Sequence, residues 1–484
     1  MYSQTKVVTS FLWRFLERFG SQIISFAVSV ILARKLGPGP AGQIAIVMAV
    51  VTILKVFADS GMANALIQKK DPDDLDFSSV FYFNFCFSLL LYLGLFLAAP
   101  RIAAAYRAQE LTPVFRTLGL VLVISGLYNV QQAYVAKTLQ FKRFFFATLG
   151  GILFSAVLSI TMVYRGAGIW ALVAQQLSNV AVNTAILWFT VGWRPKLLFS
   201  GKRLGGLLRY GWKLLVAQLL DTGYIQLYSL VIGKRYTAAQ LGQVDKGRNW
   251  PDLITQSINA SIDSVLFPVL SGVQDQRDLV RETTRRAIKV SSYIVMPMMA
   301  GLAACAVPLI RLLLKEQWLP CVPYMRIYCI IFAFYPLHTA NLNAIKALGR
   351  SDLFLKLEII KKAIETCVLL ITLRISILAM LLGQLCCEFL AQIINAWPNG
   401  KLLRYPYLRQ LRDMLPNIGL SLVMAGCVWL VSLLGLGDLP TLLLQVALGV
   451  SIYALGSRLL KLESFDYILG MVRKILQQKT ETVS

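Results

Sequence analysis

Asp245, Arg248, Asp252, Gln256, Asn259 and Asp263 follow one another at intervals of three, four, four, three and four residues. That spacing is one face of an α-helix, and the rest of the segment carries Leu253, Ile254, Ile258, Ile262 and Leu266. On a water-soluble protein such a stripe is a solvated surface. This chain is 57% hydrophobic with mean hydropathy +0.64, so lipid is the expected surrounding. Ionisable groups must then turn toward protein or a water-filled cavity. The chemistry on offer is non-covalent: carboxylates, amides and cations lining a path for a polar solute. Pro251 is expected to bend or interrupt the helix and free backbone carbonyls.

Other apolar segments carry matching polarity. Arg14, Arg18, Ser21, Ser25 and Ser29 share one helical face, with Glu17 and Gln22 beside it. Lys55 and Asp59 stand one turn apart, and Asp221, Tyr224 and Tyr228 share a face with Lys213 nearby. Together with Lys246, these residues and the stripe from Asp245 to Asp263 make the candidate cavity and substrate-binding set. Blander readings stand beside this one. Arg14 and Arg18 can snorkel to headgroups, the Glu17 and Lys55–Asp59 neighbours can be packing ion pairs, and Asp263 can be solvated at the interface. His338, alone on an apolar face, reads as a hydrogen-bonded core residue in preference to a proton relay.

The elements that position these residues are long apolar helices. Runs with no charged residue extend over 78–100, 117–136, 144–164, 166–193, 290–310, 327–345, 414–437 and 439–457, each about 20 residues, the length of a membrane-crossing helix. Stretches 10–33, 41–66, 207–233, 245–270, 352–373 and 375–397 carry only a few charges. The expectation is an all-α polytopic membrane protein with about 14 transmembrane helices. Continuous apolar runs, not alternating ones, exclude a β-barrel. The first apolar stretch runs past 20 residues with Arg14, Glu17 and Arg18 inside it, so it reads as a retained helix and not as a cleaved signal.

A net charge of +24 raises nucleic acid as a partner, but placement argues against it. Lys69 and Lys70, Lys142 and Arg143, Arg194 to Arg203, Arg277 to Arg286, Lys346 and Arg350, and Lys401 to Arg412 crowd alternate connections, whereas the intervening ones are poorer. This is the positive-inside bias, and it places both termini in the cytoplasm of a bacterial cell, with the protein in the cytoplasmic (inner) membrane. The eight cysteines have no C-x-x-C spacing and read as small hydrophobes. No connection is long enough for a catalytic domain, and no nucleotide-sugar or metal-ligand motif is present, so an enzyme is not expected. Neither is a cofactor, and proton and sodium coupling both remain open.

The chain also repeats. RKLGPGPAGQ at 34–43 is echoed by KRYTAAQLGQ at 234–243, the segment starting at Leu111 by one starting at Cys321, and IWALVAQQL at 169–177 by a segment starting at Ile375. An even-numbered repeat keeps membrane orientation, so two pseudo-symmetric six-helix bundles about an axis along the membrane normal are expected, with a central site. The expected division is an N-terminal bundle over 1–192, a basic cytoplasmic linker over 193–206, a C-terminal bundle over 207–400, a terminal helix pair over 401–460 and a cytoplasmic tail over 461–484.

ERFGSQIISFAVSVILARKLGPGPAGQIAIVMAV, FADSGMANALIQKKD, LDFSSVFYFN, GIWALVAQQL, INASIDSVLFPVLSGVQD and AIKALGRSDLFLKLEIIKK resemble the polysaccharide-transporter family of the multidrug/oligosaccharidyl-lipid/polysaccharide (MOP) exporter superfamily. Within it the chain is most similar to exporters of the colanic acid, teichuronic acid and O-antigen type. The resemblance covers nearly the whole chain. It implies a V-shaped pair of bundles and a flippase that moves an undecaprenyl-diphosphate-linked oligosaccharide from the cytoplasmic to the outer leaflet for surface polysaccharide biosynthesis. Membrane lipids surround such a protein, and a polymerase and glycosyltransferases are its expected partners. The alternative is a multidrug or cation antiporter of the same fold. Relatives often carry an aromatic residue and Asn or Ser where this chain has Val244 and Asp245, so Asp245 is a departure.

Overall fold

In a computed structural model of the chain, residues 4–59, 61–69, 71–138, 140–467 and 469–470 are described, with side chains from Gly20 onward apart from scattered positions. Among the described residues there is no β-strand. The helices are α1 (Gln4–Leu36), α2 (Pro38–Asp59), α3 (Met62–Gln68), α4 (Asp74–Ala105), α5 (Leu111–Lys137), α6 (Phe141–Tyr164), α7 (Ile169–Thr190), α8 (Gly201–Arg235) and α9 (Ala238–Gly272). They continue with α10 (Arg277–Ala304), α11 (Ala306–Leu314), α12 (Val322–Ala333), α13 (Tyr335–Ala347), α14 (Ser351–Thr372), α15 (Ile377–Leu402), α16 (Tyr407–Val431) and α17 (Asp438–Leu459).

Nine helical segments among the described residues are long and apolar enough to cross a membrane, and the architecture is all-α and polytopic. Short of that apolarity are α8, α9 and α14, which carry charged residues, and α7, which holds the four amides Gln175, Gln176, Asn179 and Asn183.

By packing, the chain divides into two compact units, Met1–Gly242 and Gln243–Ser484, with the division inside α9. In the first unit α6 packs on α7 and α1, α4 on α5, and α8 on α2, α3 and α4. Its aromatic centre is Trp193, whose ring lies 5.6 Å from Phe77 and 6.3 Å from Tyr134. The acidic run before α4 fixes the start of that helix. Asp73 caps α4 by accepting from the Asp76 amide at 3.0 Å, and Asp76 accepts in return from the Asp73 amide at 3.1 Å, a reciprocal box that satisfies two end donors.

The same acids neutralise the basic connection that follows α7. Lys196 Nζ lies 2.6 Å from Asp74, Arg203 2.5 Å from Asp73, and Lys69 2.5 Å from the buried Asp76. Lys196 and Ser200 also donate their amides to the Ser78 and Ser79 hydroxyls at 3.0 and 2.9 Å. Arg203's hydrogen bond, with the Asp76 amide's, holds the Asp73 carboxyl down at about 2.

Two glycines let backbones meet within the first unit. A Cβ on Gly42 would lie 1.6 Å from the Ala238 carbonyl oxygen, and one on Gly242 2.2 Å from that of Pro38. The echoed sequences PGPAGQ and TAAQLGQ therefore cross through their matching glycines, a contact that a side chain of any size forbids.

In the second unit α10 packs against α16, α12 and α13, α14 against α15, and α16 against α17. Tyr293 on α10 joins α17 by donating to Ser457 Oγ at 2.9 Å, while Tyr453 donates back to the Tyr293 carbonyl at 2.9 Å.

Candidate functional site

The helix α9 runs unbroken through Pro251, so the expected interruption does not occur. Thr255 donates its hydroxyl to the Pro251 carbonyl at 2.9 Å. The polar stripe is helical over its whole length, and the structure divides it. Asp245, Arg248 and Asp252 are half-buried and Gln256 is exposed. They form an open row with Asn249, whose amide donates to Asp245 at 3.0 Å, while Gln256 donates to both oxygens of Asp252 at 3.0 Å. These i to i+4 bonds hold the acids against their own helix.

Asn259 instead joins a buried row with Val244, Gly247, Pro251, Thr255 and Leu266. It is 5% exposed, and neither its Nδ2 nor its Oδ1 has a hydrogen-bond partner among the described residues. Lys246 leaves the open row as well: it is buried, with Nζ 5.9 Å from the centre of the fully buried Trp318 ring. Gly247 explains that closeness, since a Cβ there would meet the Cys321 carbonyl oxygen and the Met325 nitrogen, each at 3.0 Å. The row thus offers an alternation of carboxylate, guanidinium and amide, a surface that hydrogen-bonds hydroxyl-rich or anionic solutes without reacting with them.

In the first unit Asp59 is half-buried and accepts from Asn129 Nδ2 on α5 at 2.5 Å. Sequence reading did not pair these residues, which are 70 apart; the signal was Asn129 itself, a lone amide within an uncharged run. The side chains of Arg14, Glu17, Arg18, Lys213, Asp221 and Asp263 lie outside the described ones, although their helices are given.

His338 is a hydrogen-bonded core residue, as expected. Its partners, Asn395 and Glu388 on α15, were not singled out from the sequence, though Glu388, Gln392, Asn395 and Asn399 carry the spacing of one helical face. No group of three metal-ligating side chains occurs among the described residues.

Such helices with internal polar rows define a polytopic transporter fold. Over 93% of this chain and 98% of the other, the structure is similar to the lipid II flippase MurJ in its inward closed conformation, with TM-score 0.76 at 15% identity. It also resembles an inward-facing MATE family multidrug transporter of the MOP superfamily, with TM-score 0.62 at 13% identity, over 79% of this chain and 96% of the other.

The family follows from the sequence match: residues 31–323, more than half of the chain, fit the polysaccharide biosynthesis protein family, and the chain belongs to it. Relatives include the succinoglycan biosynthesis transport protein ExoT of Rhizobium meliloti (strain 1021), 24% identical over 63% of this chain and 62% of its own length. The lipopolysaccharide biosynthesis protein WzxC of Escherichia coli (strain K12) is 23% identical over 68% of each, and the teichuronic acid biosynthesis protein TuaB of Bacillus subtilis (strain 168) is 25% identical over 62% of each. The chain thus matches under two thirds of the length of ExoT and of TuaB.

Proposed function

We propose that this protein is a flippase that carries undecaprenyl-diphosphate-linked oligosaccharide repeat units from the cytoplasmic to the outer leaflet of the bacterial inner membrane for surface polysaccharide biosynthesis. The observation that carries the reading is the row of Asp245, Arg248, Asp252 and Gln256 along an otherwise apolar helix. Lipid makes such groups costly, by about 2.5 kcal/mol or more for each central charge, so water and a polar cargo are their natural neighbours. Family membership and the fold support the same reading. In this proposal Arg14, Arg18 and Lys55 hold the diphosphate, the sugar hydroxyls meet the α9 row, and the polyprenyl chain stays in lipid. Alternating access of the two repeats, 1–192 and 207–400, moves the cargo. A polymerase and glycosyltransferases supply and consume it.

Complementation of an export-deficient strain tests the reading. Arg14→Ala, Arg18→Ala and Lys55→Ala are expected to reduce surface polymer and to accumulate lipid-linked repeat units on the inner leaflet at unchanged protein level. Normal polymer in all three, and in the Arg14, Arg18 double variant, removes these residues from the cargo path. For the proposed orientation, cysteines at Lys202 and Arg404 should be shielded from an impermeant thiol reagent in intact cells, and one at Gly437 should react. Labelling at Lys202 or Arg404 overturns cytoplasmic termini.

A further inference from the structure

A second polar row lies within the Gln243–Ser484 unit and is not absorbed by the cargo row. Near the middle of α15, Glu388 begins a stripe that continues through Gln392, Asn395 and Asn399; these last three are almost completely buried, at 1% exposure or less. Facing it on α13 are His338 and Asn341. His338 Nε2 lies 2.6 Å from Glu388 Oε1, a close contact in which the oxygen sits off the ring N–H direction. Asn395 Nδ2 lies 2.7 Å from His338 Nδ1.

The stripe then leads to the basic end of α15. Asn399 and Gln410 both donate to Asn341 Oδ1, at 2.7 and 3.0 Å, and Gln410 also donates to the Tyr405 carbonyl at 2.9 Å. A buried amide chain of this kind costs stability wherever its members are left unsatisfied.

Resting on the transport reading above, we propose that His338 and Glu388 form a buried proton-binding site whose occupancy is coupled to translocation. Charge balance is the first argument. Lys361 pairs with Glu358 at 2.6 Å and Lys362 with Glu365 at 3.3 Å, and both lysines act on Glu388. Among the described residues Glu388 meets no lysine or arginine at ion-pair distance, only the His338 ring, in a place where unbalanced charge is expensive. A proton on His338 closes that gap.

Hydrogen bonding is the second argument. With a neutral ring, Nδ1 accepts from the Asn395 amide. Protonation turns Nδ1 into a donor, and Asn395 Oδ1, buried and without a hydrogen-bond partner among the described residues, becomes its acceptor after a half-turn of the same amide. Nδ1 therefore keeps a hydrogen bond in both protonation states without a new group entering. The proton adds to the Nδ1 lone pair and leaves from the same atom; no other bond changes.

The helices packed around the pair carry these other ionisable groups. The Tyr335 ring on α13 lies 6.2 Å from that of His338, centre to centre, and Cys386 and Cys387 precede Glu388 in α15, neither in a disulfide. On α12, Arg326 donates to the Ala303 carbonyl, and Tyr324, Tyr328 and Cys329 accompany it. On α10, Arg285 and Lys289 are bound to Asp413 and Glu463, and Tyr293 to Ser457. From α16, Tyr407 donates to Gln392 at 3.1 Å.

His338 is the only histidine of the chain, which makes the site directly readable. Full-length protein purified without a histidine tag, labelled with 15N-histidine and held in lipid nanodiscs, gives one imidazole to titrate. Expected is protonation of Nδ1 with a single midpoint within about pH 5–8, and a midpoint about one unit or more lower in Glu388→Gln, which removes the counter-charge. A ring that stays neutral to pH 5, or a midpoint indifferent to Glu388→Gln, overturns the site.

The coupling is read in proteoliposomes carrying a fluorescent undecaprenyl-diphosphate oligosaccharide. An imposed pH gradient should speed translocation severalfold in the unaltered protein and leave the rate unchanged in Glu388→Gln and His338→Gln, each checked for unaltered elution from a sizing column. Gradient-independent translocation by the unaltered protein overturns the coupling and leaves the flippase reading standing. Absence of translocation under every condition overturns the flippase reading, and the nanodisc titration still decides whether the proton site exists.

Discussion

Replacing Asn259 by leucine should separate what stabilises this protein from what operates it. The side chain is 5% exposed and its amide nitrogen and oxygen have no partner among the described residues. A buried polar group left unpaired costs about 1–3 kcal/mol, and leucine keeps the same branching at Cγ without that cost. Asn259→Leu is thus expected to stabilise the protein by about 1–3 kcal/mol, a tenfold to hundredfold shift in the unfolding equilibrium, measured by denaturation in mixed detergent micelles. Surface polysaccharide in a complemented strain is expected to fall severalfold, because an amide kept buried at that cost is one that a water or a cargo hydroxyl pairs in another state of the transport cycle.

Thr255→Val is the control. Its hydroxyl is already bonded to the Pro251 carbonyl, so export should be retained. A less stable Asn259→Leu protein would mean the amide is satisfied in the native molecule. Greater stability with undiminished export would mean the amide takes no part in transport. Either result refutes the reasoning.

The remaining predictions concern packing and charge. Gly42→Ala places a Cβ 1.6 Å from the Ala238 carbonyl oxygen, so the crossing of α2 and the start of α9 must open, at a cost of about 1–3 kcal/mol visible as a lower melting temperature; Gly39→Ala, with open space around it, should be neutral. Lys246→Met should keep export within about twofold, because the ammonium is packed on Trp318 away from the open row, whereas Arg248→Met should reduce it; the reverse order would exchange their roles. Asp73 is held at about 2 by Arg203 and the Asp76 amide, below the unfolded value of about 4. Its contribution is therefore complete above about pH 4 and lost as pH falls toward 2. Amide exchange at the start of α4 should accelerate across that window, by a modest amount since the pair is solvent-exposed, and Asp73→Ala should abolish the pH dependence.

Composition and run length alone determined that this is an all-α membrane protein, because a bilayer demands about 20 apolar residues per helix whatever the neighbours are. Spacing was enough to place Asp245 through Asp263 on one helix, since helical periodicity is a local property. The echo of 34–43 in 234–243 is likewise legible in the sequence alone. Tertiary structure decided which polar residues are free to act. It buried Asn259 beside Thr255 and turned Lys246 onto Trp318, because helix neighbours, and not the helix itself, determine which arc of its surface is covered. It also paired Asp59 with Asn129 and His338 with Glu388 across many intervening residues. Such pairings depend on which helices pack together, α2 with α5 and α13 with α15, and no local pattern encodes which distant polar group will stand opposite. Pro251 makes the same point from the other side: its local tendency to break a helix yields to a continuous α9 in which the Thr255 hydroxyl bonds the Pro251 carbonyl.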